Sequence, residues 1–460
     1  MGKRMVNKLL SNNTVDLTRR RLLLGLAAAP FVINSAWATA PKNPEVIIIG
    51  AGAAGMGAAK TLSDLGISFL LIEAQSRIGG RAYTDHYTFG VPYDMGCHWL
   101  NYGRINPWIE YGKTNGFTVY PTPSEPYGLF VDKRKATPEE LNEYDLAYQR
   151  IEDEISWIAT KSNNPDISPT EGVKLDTKWK KLSAYMMGPL DMAKEFDDFS
   201  CKDYWESPGV DPYYCKEGYG ALVAYYGRKL PVQLATPAHH INWHGPGVKV
   251  ESSEGTISSK AVILTVSTGV LAADKIKFTP ALPVKKQESF QYISMGTYNH
   301  AALQFSKDFF SLGPDRYVDY VNEAGTEAGG MLTNIGGTNL TFVYSGGDLG
   351  RELELAGIKA GVDWGLNEVV KIYGSDVKKY FVKGHFTRWG EHPWTLGSYA
   401  SAKPGYFHMR KELKKTLADK VFFAGEATHP LQWATCGGGL LSGIDAANAV
   451  ASALGIKPKA

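Results

Sequence analysis

Residues 45–73 read EVIIIGAGAAGMGAAKTLSDLGISFLLIE, and this stretch decides the fold. It opens on Glu45–Ile49, a run dominated by β-branched residues and typical of a buried parallel strand. A glycine-rich turn and a helix-favouring segment, Met56–Leu65, come next. A second apolar run, Ile67–Ile72, then ends at Glu73. The stretch therefore predicts one complete βαβ unit.

The glycine-rich turn of this unit has the spacing of a dinucleotide-binding loop. Gly50 permits the tight turn, Gly52 lets the backbone approach a pyrophosphate, and Gly55 lets the helix pack close to the strand. A helix beginning near Ala53 directs its free N–H groups and its positive dipole end toward the phosphates. Glu73 lies twenty-three residues past Gly50, near the spacing expected of a carboxylate that binds ribose hydroxyls. Together these features predict dinucleotide binding.

A second glycine pair narrows the choice of dinucleotide. In RIGGR, residues 77–81, Gly80 lets the backbone approach the cofactor again, and Arg81 can neutralise pyrophosphate charge. The longer segment EAQSRIGGR, which includes Ala74, resembles the E-A-x-x-R-x-G-G-R signature of the flavin amine oxidase superfamily. That superfamily includes monoamine oxidases, polyamine oxidases, L-amino-acid oxidases and lysine-specific histone demethylases. The resemblance implies FAD as the cofactor.

The resemblance continues along the chain in six further ordered segments. They are residues 94–99 (DMGCHW), 218–222 (GYGAL), 261–271, 389–399, 421–428 (VFFAGEAT) and 437–448 (GGGLLSGIDAAN). Carried over position by position, the resemblance implies that FAD also contacts Gly96, Trp99, Ala238, Trp394, Gly425, Glu426 and Thr435. Independently of the family, Glu426 follows an apolar strand and can bind a ribityl hydroxyl.

The implied fold is α/β, with a Rossmann-like GR2-type FAD-binding domain and a discontinuous α+β substrate-binding domain. Residues 44–110, 210–280 and 385–455 are expected to build the FAD-binding domain. Residues 111–209 and 281–384 are expected to build the substrate-binding domain. In this second domain a helix is predicted near Pro138–Lys161, with Leu141, Tyr144, Leu146, Ile151 and Ile155 on one face.

The family reaction implied by the resemblance removes two electrons from the carbon–nitrogen bond of an amine. Hydride passes to flavin N5, the imine is hydrolysed, and the electrons go to O2 or a carrier. An aromatic pair flanks the substrate nitrogen in the family; Tyr399 matches one position and Thr435 stands at the other. Trp433 and Trp99 are candidates for a second wall.

One departure from the family pattern concerns a lysine that many members place near the flavin. In the strand MGTYNHAALQF, residues 295–305, His300 occupies that position. His300 is therefore a candidate catalytic residue that holds the same water and acts as a base near neutral pH. The alternatives are a flavin less reactive toward oxygen, which makes the enzyme a dehydrogenase, and a buried structural histidine.

Residues 1–38 resemble a twin-arginine export signal. Thr18–Leu24 (TRRRLLL) precedes a moderately apolar run to Ala36, and Ala36-Trp37-Ala38 offers a cleavage site. The run is too short to span a bilayer comfortably. We therefore expect a periplasmic or secreted protein without stable membrane insertion, which passes electrons to O2 or a periplasmic electron carrier.

Composition excludes other classes of function. The 49 Lys and Arg nearly balance 47 Asp and Glu, and a net charge of +2 provides no field for nucleic acid. The four cysteines form no CxxC, so no metal site is expected. Pairing of Cys201 with Cys215 stays open. Since Ser398 precedes Tyr399 where monoamine oxidases carry the flavin-linked cysteine, non-covalent FAD is expected.

Two other functions remain open from the sequence alone. One is a flavin desaturase or dehydrogenase acting on a non-amine substrate, and the other is a non-catalytic flavoprotein. The block Trp389–Tyr399 favours a small-molecule amine as the substrate. Arg104 is the single candidate for a carboxylate clamp near the flavin-side segment, which tilts the prediction from amino acids toward amines.

Overall fold

A computed structural model describes residues 43–123, 127–161, 165–207 and 211–456. The predicted export signal, residues 1–38, lies outside the described residues. The strands are β1 (Val46–Ile49), β2 (Phe69–Ile72), β3 (Thr84–Asp85), β4 (Tyr93–Asp94), β5 (Val119–Pro121), β6 (Gly128–Val131), β7 (Arg134–Lys135), β8 (Tyr213–Cys215), β9 (Val232–Gln233), β10 (Ala238–Asn242), β11 (Val248–Ser252), β12 (Gly255–Ser259), β13 (Ala261–Leu264), β14 (Lys277–Thr279), β15 (Ile293–Met295), β16 (Tyr298–Phe305), β17 (Arg316–Val321), β18 (Ala328–Thr333), β19 (Leu340–Gly346), β20 (Phe381–Phe386), β21 (Ala400–Ala402) and β22 (Val421–Phe423).

The α-helices are α1 (Ala53–Asp64), α2 (Pro107–Thr114), α3 (Pro138–Thr160), α4 (Lys178–Tyr185), α5 (Cys201–Trp205), α6 (Tyr219–Gly227), α7 (Thr268–Ala272), α8 (Val284–Tyr292), α9 (Gly347–Ala356), α10 (Ile358–Tyr373), α11 (Met409–Lys414) and α12 (Cys436–Ala453). A π-helical segment, Met186–Met192, directly follows α4. Among the described residues, no helix combines the length and the apolar character needed to cross a membrane.

A five-stranded parallel sheet confirms the predicted Rossmann-like unit. Its strand order is β22-β13-β1-β2-β9, so the sheet combines segments from the beginning, middle and end of the chain. Alternate side chains of β1 point to opposite faces, as strand geometry requires. Ile47 and Ile49 pack in one core cluster, and Val46 and Ile48 pack with α1 and α12 in another.

Close contact between α1 and α12 depends on glycine. A Cβ at Gly55 would lie 1.8 Å from the Gly50 carbonyl oxygen, and one at Gly443 would lie 1.9 Å from that of Ala54. Both distances are far below van der Waals contact, so α1 approaches the loop, and α12 approaches α1, only because these positions lack side chains. The packing role predicted for Gly55 follows from this geometry.

Strands β10, β11, β12 and β14 form a separate four-stranded sheet. Its strand order is β12-β11-β10-β14, with antiparallel pairing of β11 to both β10 and β12. Ile241 and Val250 from this sheet join the cluster that covers one face of the parallel sheet.

A seven-stranded sheet with the order β20-β16-β19-β18-β17-β6-β7 forms the other large layer. Strand β19 is buried along its whole length because both faces are covered. Val343 packs on the side of α10, whereas Phe342 and Tyr344 pack on the opposite side with aromatic residues of other segments. Residues on that second face include Tyr298 of β16 and Tyr317 of β17.

Helix α3 agrees with the predicted helix but differs in its buried face. Thr137 and Glu140 form a reciprocal capping box at its start. Its buried residues are Tyr144, Ala147, Ile151, Ile155 and Ile158. Leu146 was assigned to this face wrongly, because it is 48% exposed and the neighbouring Ala147 points inward. The error is one residue, about 100° of helical rotation.

The cysteine pairing left open by the sequence does not occur. Cys201 and Cys215 are both free thiols. They are buried in different core clusters, so the side chains pack with separate sets of neighbours. The predicted boundaries between the two domains stay a prediction, since the described residues belong to one compact unit.

Candidate active site

One cavity of about 1060 Å³ connects the glycine-rich loop to the aromatic face of the seven-stranded sheet. This volume is at the upper end of the range typical for ligand sites. Of the residues predicted to bind cofactor or take part in catalysis, those lining it are Gly50, Gly52, Ala53, Glu73, Ala74, Gly80, Arg81, Gly96, Trp99, Ala238, His300, Trp394, Tyr399, Gly425, Glu426 and Thr435. Gly55 lies behind the wall, where it serves packing.

The loop end of the cavity fits the diphosphate of a dinucleotide. Helix α1 begins after Gly52 without a side-chain cap, so the N–H groups of its first turn are available to an anion. A Cβ at Gly52 would have no protein atom nearer than 3.9 Å, so the space in front of it is free for a ligand. Gly50 has a φ of +103°, the left-handed turn expected of the loop.

Glu73 is fixed at the end of β2 by two backbone donors. Its carboxylate accepts hydrogen bonds from Ala51 N at 2.7 Å and Gln75 N at 2.9 Å. Burial raises the pKa of Glu73 despite these bonds. Hydroxyl donors from a ribose would stabilise the charged form, so the site is suited to the ligand predicted for it.

Arg81 and Glu426 join chain segments that are far apart in sequence. Arg81 Nη1 donates to Glu426 Oε1 at 3.0 Å and to the Ser398 carbonyl at 2.6 Å. Glu426 Oε2 also accepts from Ala434 N at 3.1 Å. This ion pair lies at the cavity wall, where it holds the segment before α12 against the RIGGR loop. Gly96 packs against the same loop, since a Cβ there would lie 1.8 Å from the Arg81 carbonyl oxygen.

His300 lies deep in the cavity wall and is uncharged at neutral pH. Its ring stacks on Phe342 with centroids 3.9 Å apart, and neither ring nitrogen has a hydrogen-bond partner among the described residues. Burial, with a smaller contribution from the charge of His98, lowers the pKa of His300 to about 3. This low pKa disfavours a positive charge on His300 near neutral pH, and its catalytic role stays a prediction.

Tyr399 and Thr435 occupy different roles in the wall. The Tyr399 hydroxyl donates to the Leu190 carbonyl at 2.5 Å, and its ring lies 5.9 Å from that of Tyr298. Thr435 caps α12 by accepting from Gly438 N at 3.0 Å, which explains a threonine at this position. Aromatic walls near Tyr399 come instead from Tyr298, Trp433 and Trp99, which also line the cavity.

Four carboxylates that the sequence did not single out line the end of the cavity beyond Tyr399. We call this end the substrate chamber; it is bounded by Tyr144, Tyr148, Glu152, Asp191, Tyr204, Glu206, Tyr298, Asp319 and Tyr344. The π-helical segment aims Asp191 into the chamber. Asp319 is a lone acid in the apolar strand β17, which was the available sequence signal. Glu152 follows Tyr144 and Tyr148 at helical spacing on α3.

Two of these carboxyls, Asp191 and Asp319, have raised pKa values. Asp191 is exposed to the cavity, where poor solvation with repulsion from neighbouring carboxylates raises its pKa to about 7. Burial likewise raises that of Asp319 to about 7, although Tyr127 donates to its Oδ2 at 2.5 Å. Asp319 Oδ1 has no partner among the described residues. The substrate chamber therefore contains carboxylate oxygens that have no positively charged partner among the described residues.

Arg104 does not lie in the cavity. The residue is exposed and does not belong to the lining, so the single candidate for a carboxylate clamp is removed. Where the cavity wall is described, its lysine and arginine residues are Lys275 and Arg81, and neither pairs with a chamber carboxylate.

Sequence comparison assigns the family. A profile described as NAD(P)-binding Rossmann-like domain matches residues 48–110. A second, described as flavin containing amine oxidoreductase, matches residues 182–451, more than half of the chain. The chain belongs to the flavin containing amine oxidoreductase family. FAD is therefore the cofactor of this enzyme, and its reaction is the oxidation of an amine.

Similar proteins span nearly the same length. This amine oxidoreductase is 28% identical to probable polyamine oxidase 4 of Arabidopsis thaliana, over 88% of this chain and 86% of the relative. It is 29% identical to polyamine oxidase 4 of Oryza sativa subsp. japonica, over 88% of each. These matches support amine oxidation over the desaturase and non-catalytic alternatives.

Solved structures agree with the fold. Wild-type putrescine oxidase bound to putrescine has a TM-score of 0.75 at 16% identity, covering 89% of this chain and 99% of that one. Cyclohexylamine oxidase from Brevibacterium oxydans IH-35A has a TM-score of 0.74 at 21% identity, covering 90% and 99%. The predicted α/β fold is confirmed.

Proposed function

We propose that this enzyme oxidises an aliphatic amine that carries a second positive charge, such as a diamine or polyamine. The observation that carries the proposal is the substrate chamber, where Glu152, Asp191, Glu206 and Asp319 pair with no lysine or arginine of the described part of the chain. The relatives named polyamine oxidase and the structural similarity to putrescine oxidase support the same substrate class.

A distal ammonium group on the substrate would balance the negative charge of the chamber carboxylates. A carboxyl whose pKa is about 7 is half protonated at neutral pH because its charge is poorly solvated. An ammonium bound beside Asp191 and Asp319 would favour their ionised forms and donate a hydrogen bond to Asp319 Oδ1. The chamber therefore selects a second charge on the substrate.

The aromatic lining suits the other end of the same substrate. Tyr298, Tyr344 and Tyr399 surround the position nearest His300. Their rings exclude water and favour the neutral form of an amine, which is the form that can be oxidised. The neutral amine binds near His300 and the charged amine binds near Asp191, so the two contacts orient the substrate.

FAD would be held by the glycine loop, by Glu73 and by the segment around Glu426. When bound, FAD supplies the acceptor for the two electrons and the hydrogen removed from the carbon–nitrogen bond. Non-covalent binding is proposed because Ser398, whose Oγ donates to the Gly296 carbonyl at 2.9 Å, offers no thiol for a linkage.

We further propose export through the twin-arginine route, with O2 or a periplasmic electron carrier receiving the electrons. The support is the sequence Thr18–Leu24 followed by the apolar run and the cleavage site. That route carries folded proteins, which suits an enzyme that acquires FAD before export.

A panel of amines tests the substrate class. Purified holoenzyme is given n-butylamine, putrescine or spermidine, and the aldehyde product is measured with an artificial electron acceptor present. Loss of a charge-assisted contact costs about 1.5–3 kcal/mol, so kcat/KM for putrescine should exceed that for n-butylamine on the order of 10- to 100-fold. Equal kcat/KM values for the two amines would contradict the proposal.

A further inference from the structure

We propose that Asp203 and Arg410 form a positioning pair for amine oxidation. Neither residue belongs to the described lining of the cavity, so the pair acts through three side chains that do: Tyr399, Glu426 and Trp433. Tyr399 and Trp433 belong to the aromatic wall, and Glu426 belongs to the segment predicted to bind FAD. The inference rests on the amine oxidation of the family and does not depend on the proposed diamine substrate.

The pair joins two helices that are distant in sequence. Asp203 lies on α5, Arg410 is the second residue of α11, and both side chains are buried. Arg410 Nε donates to Asp203 Oδ1, and Nη2 donates to Oδ2 at 2.7 Å. This two-point contact fixes the plane of the guanidinium. Because desolvation offsets much of the attraction between buried charges, such a pair is better suited to fixing geometry than to raising stability.

The other hydrogen bonds of the guanidinium hold the backbone beside two cavity residues. Arg410 Nη1 donates to the Ala427 carbonyl at 3.0 Å, and Ala427 directly follows Glu426. Arg410 Nη2 also donates to the Ala400 carbonyl at 3.5 Å, and Ala400 directly follows Tyr399. The guanidinium therefore sets the separation between the cofactor segment and strand β21. Asp203 fixes the same strand, because its Oδ2 accepts from Ala402 N at 2.7 Å.

The guanidinium also covers one face of the Trp433 ring. Its central carbon lies 4.4 Å from the ring centroid, the distance of a cation–π contact. The ring is buried, and its Nε1 has no hydrogen-bond partner among the described residues. The contact with Arg410 is therefore the polar interaction that orients this part of the aromatic wall.

Glu426 closes the same network from the side of the cavity. Its Oε2 accepts from Ala434 N at 3.1 Å and from Ala400 N at 3.4 Å. Ala400 is therefore held by Arg410 through its carbonyl and by Glu426 through its N–H. Since Ala434 directly follows Trp433, a shift of the guanidinium would move the aromatic wall relative to the cofactor segment. A misplacement of about 1 Å can slow a reaction about 10²-fold.

Flavin reduction in the variant Arg410→Lys tests the pair. Lysine keeps the positive charge but loses the planar fork and its stacking on the indole. We expect FAD per chain to stay normal, while the rate constant for anaerobic flavin reduction at saturating putrescine falls on the order of 10- to 100-fold. The matched control is Arg351→Lys, because Arg351 contacts the buried Glu354 and does not belong to the described lining of the cavity. The control should keep the wild-type rate.

Visible circular dichroism of the bound FAD provides a second readout that needs no substrate. The flavin bands depend on how the surrounding groups are arranged, so Arg410→Lys should alter them and Arg351→Lys should leave them unchanged. A merely structural role predicts a lower melting temperature or lower FAD content, with unchanged flavin bands and an unchanged reduction rate per bound FAD. That result would overturn the proposal.

A neutral double variant keeps the test decisive if Arg410→Lys does not fold. Asp203→Asn combined with Arg410→Gln removes both charges together, so no unpaired charge stays buried. We expect the same slower reduction per bound FAD and the same altered flavin bands. Wild-type values for both measurements would exclude a positioning role for the pair.

The outcomes separate this inference from the proposed function. If putrescine reduces the wild-type enzyme and the Arg410→Lys enzyme at the same rate per bound FAD, the pair is excluded while amine oxidation stands. If no amine reduces the wild-type flavin, the proposed function fails. The flavin bands of the variants then still decide whether the pair arranges the groups around FAD.

Discussion

At the scale of single residues, Asp319 is the side chain on which substrate selection depends most. Its Oδ1, which has no partner among the described residues, and its place as the one acid of strand β17 (RYVDYV) mark it as the acceptor for a distal ammonium. We expect Asp319→Asn to raise KM for putrescine about 10- to 100-fold, from the loss of a charge-assisted contact of about 1.5–3 kcal/mol. Steady-state kinetics with n-butylamine should show little change.

The exposed Asp376→Asn serves as the control for loss of a negative charge, since its side chain is 79% exposed. A uniform loss with mono- and diamines in Asp319→Asn would assign the residue a structural role and contradict the chamber.

The carboxyls of Asp191 and Asp319 make the free energy of unfolding depend on pH. Their pKa rises from 3.8 to about 7 on folding, so the folded state binds more protons than the unfolded state between these values. Their contribution to stability is present below pH 3.8 and is lost as the pH rises through 7. In thermal melts, the melting temperature of the double variant Asp191→Asn, Asp319→Asn should rise relative to that of wild type as the pH rises from about 4 to 7. Above pH 7 the difference should stay constant. A difference that is constant between about pH 4 and 7 as well would contradict the raised pKa values.

Residue roles were the part of the site that the sequence predicted least well. Local spacing identified Gly52 and Glu73 because the loop and its acid lie within one βαβ unit. It did not reveal Asp191, which enters the chamber through a π-helical segment that apolar periodicity does not encode. The catalytic role of His300 stays a prediction, and the burial that lowers its pKa depends on β19 and on Phe342, which are distant in sequence.

At the scale of elements, the segment that joins β1 to α1 contains one glycine needed for cofactor binding, Gly52, and another needed for packing, Gly55. A Cβ at Gly52 would meet its first protein atom at 3.9 Å, whereas one at Gly55 would lie 1.8 Å from the Gly50 carbonyl oxygen. Gly52→Ala should therefore fold normally and lose FAD, because the methyl group occupies the path of the diphosphate. Gly55→Ala should lose about 1–3 kcal/mol of stability through overpacking.

FAD per chain and thermal melting of the two variants measure these effects as a matched pair. Normal FAD content in Gly52→Ala would show that the diphosphate lies elsewhere. Strand and helix positions in this region were predictable because β-branched runs and glycine spacing are local signals. The buried face of α3 was harder to predict, because Leu146 and Ala147 are adjacent and the fold buries Ala147, the smaller of the two.

At the scale of the whole molecule, the proposed export depends on Arg19 and Arg20. Replacing both with lysine preserves charge but removes the paired arginines that the export machinery reads. We expect FAD-loaded precursor to accumulate in the cytoplasm, measured by cell fractionation and immunoblotting. Arg21→Lys is the matched control and should leave export intact. Periplasmic delivery of the double variant at the normal level would contradict this route.

Sequence patterns predict least well how distant segments of the chain come together. The family signature correctly predicted the α/β architecture, because its segments recur in a fixed order from Glu45 to α12. It did not predict the chamber, whose carboxylates come from α3, the π-helical segment, the residue after α5 and β17 and meet only after folding.

Anaerobic titration of the purified, FAD-loaded enzyme with putrescine requires a working cofactor site and a working substrate chamber at the same time. We expect the visible flavin band to bleach completely at one equivalent of putrescine per FAD. Protein that is folded and supplied with FAD yet stays colourless, or a flavin band that no diamine bleaches, would contradict it.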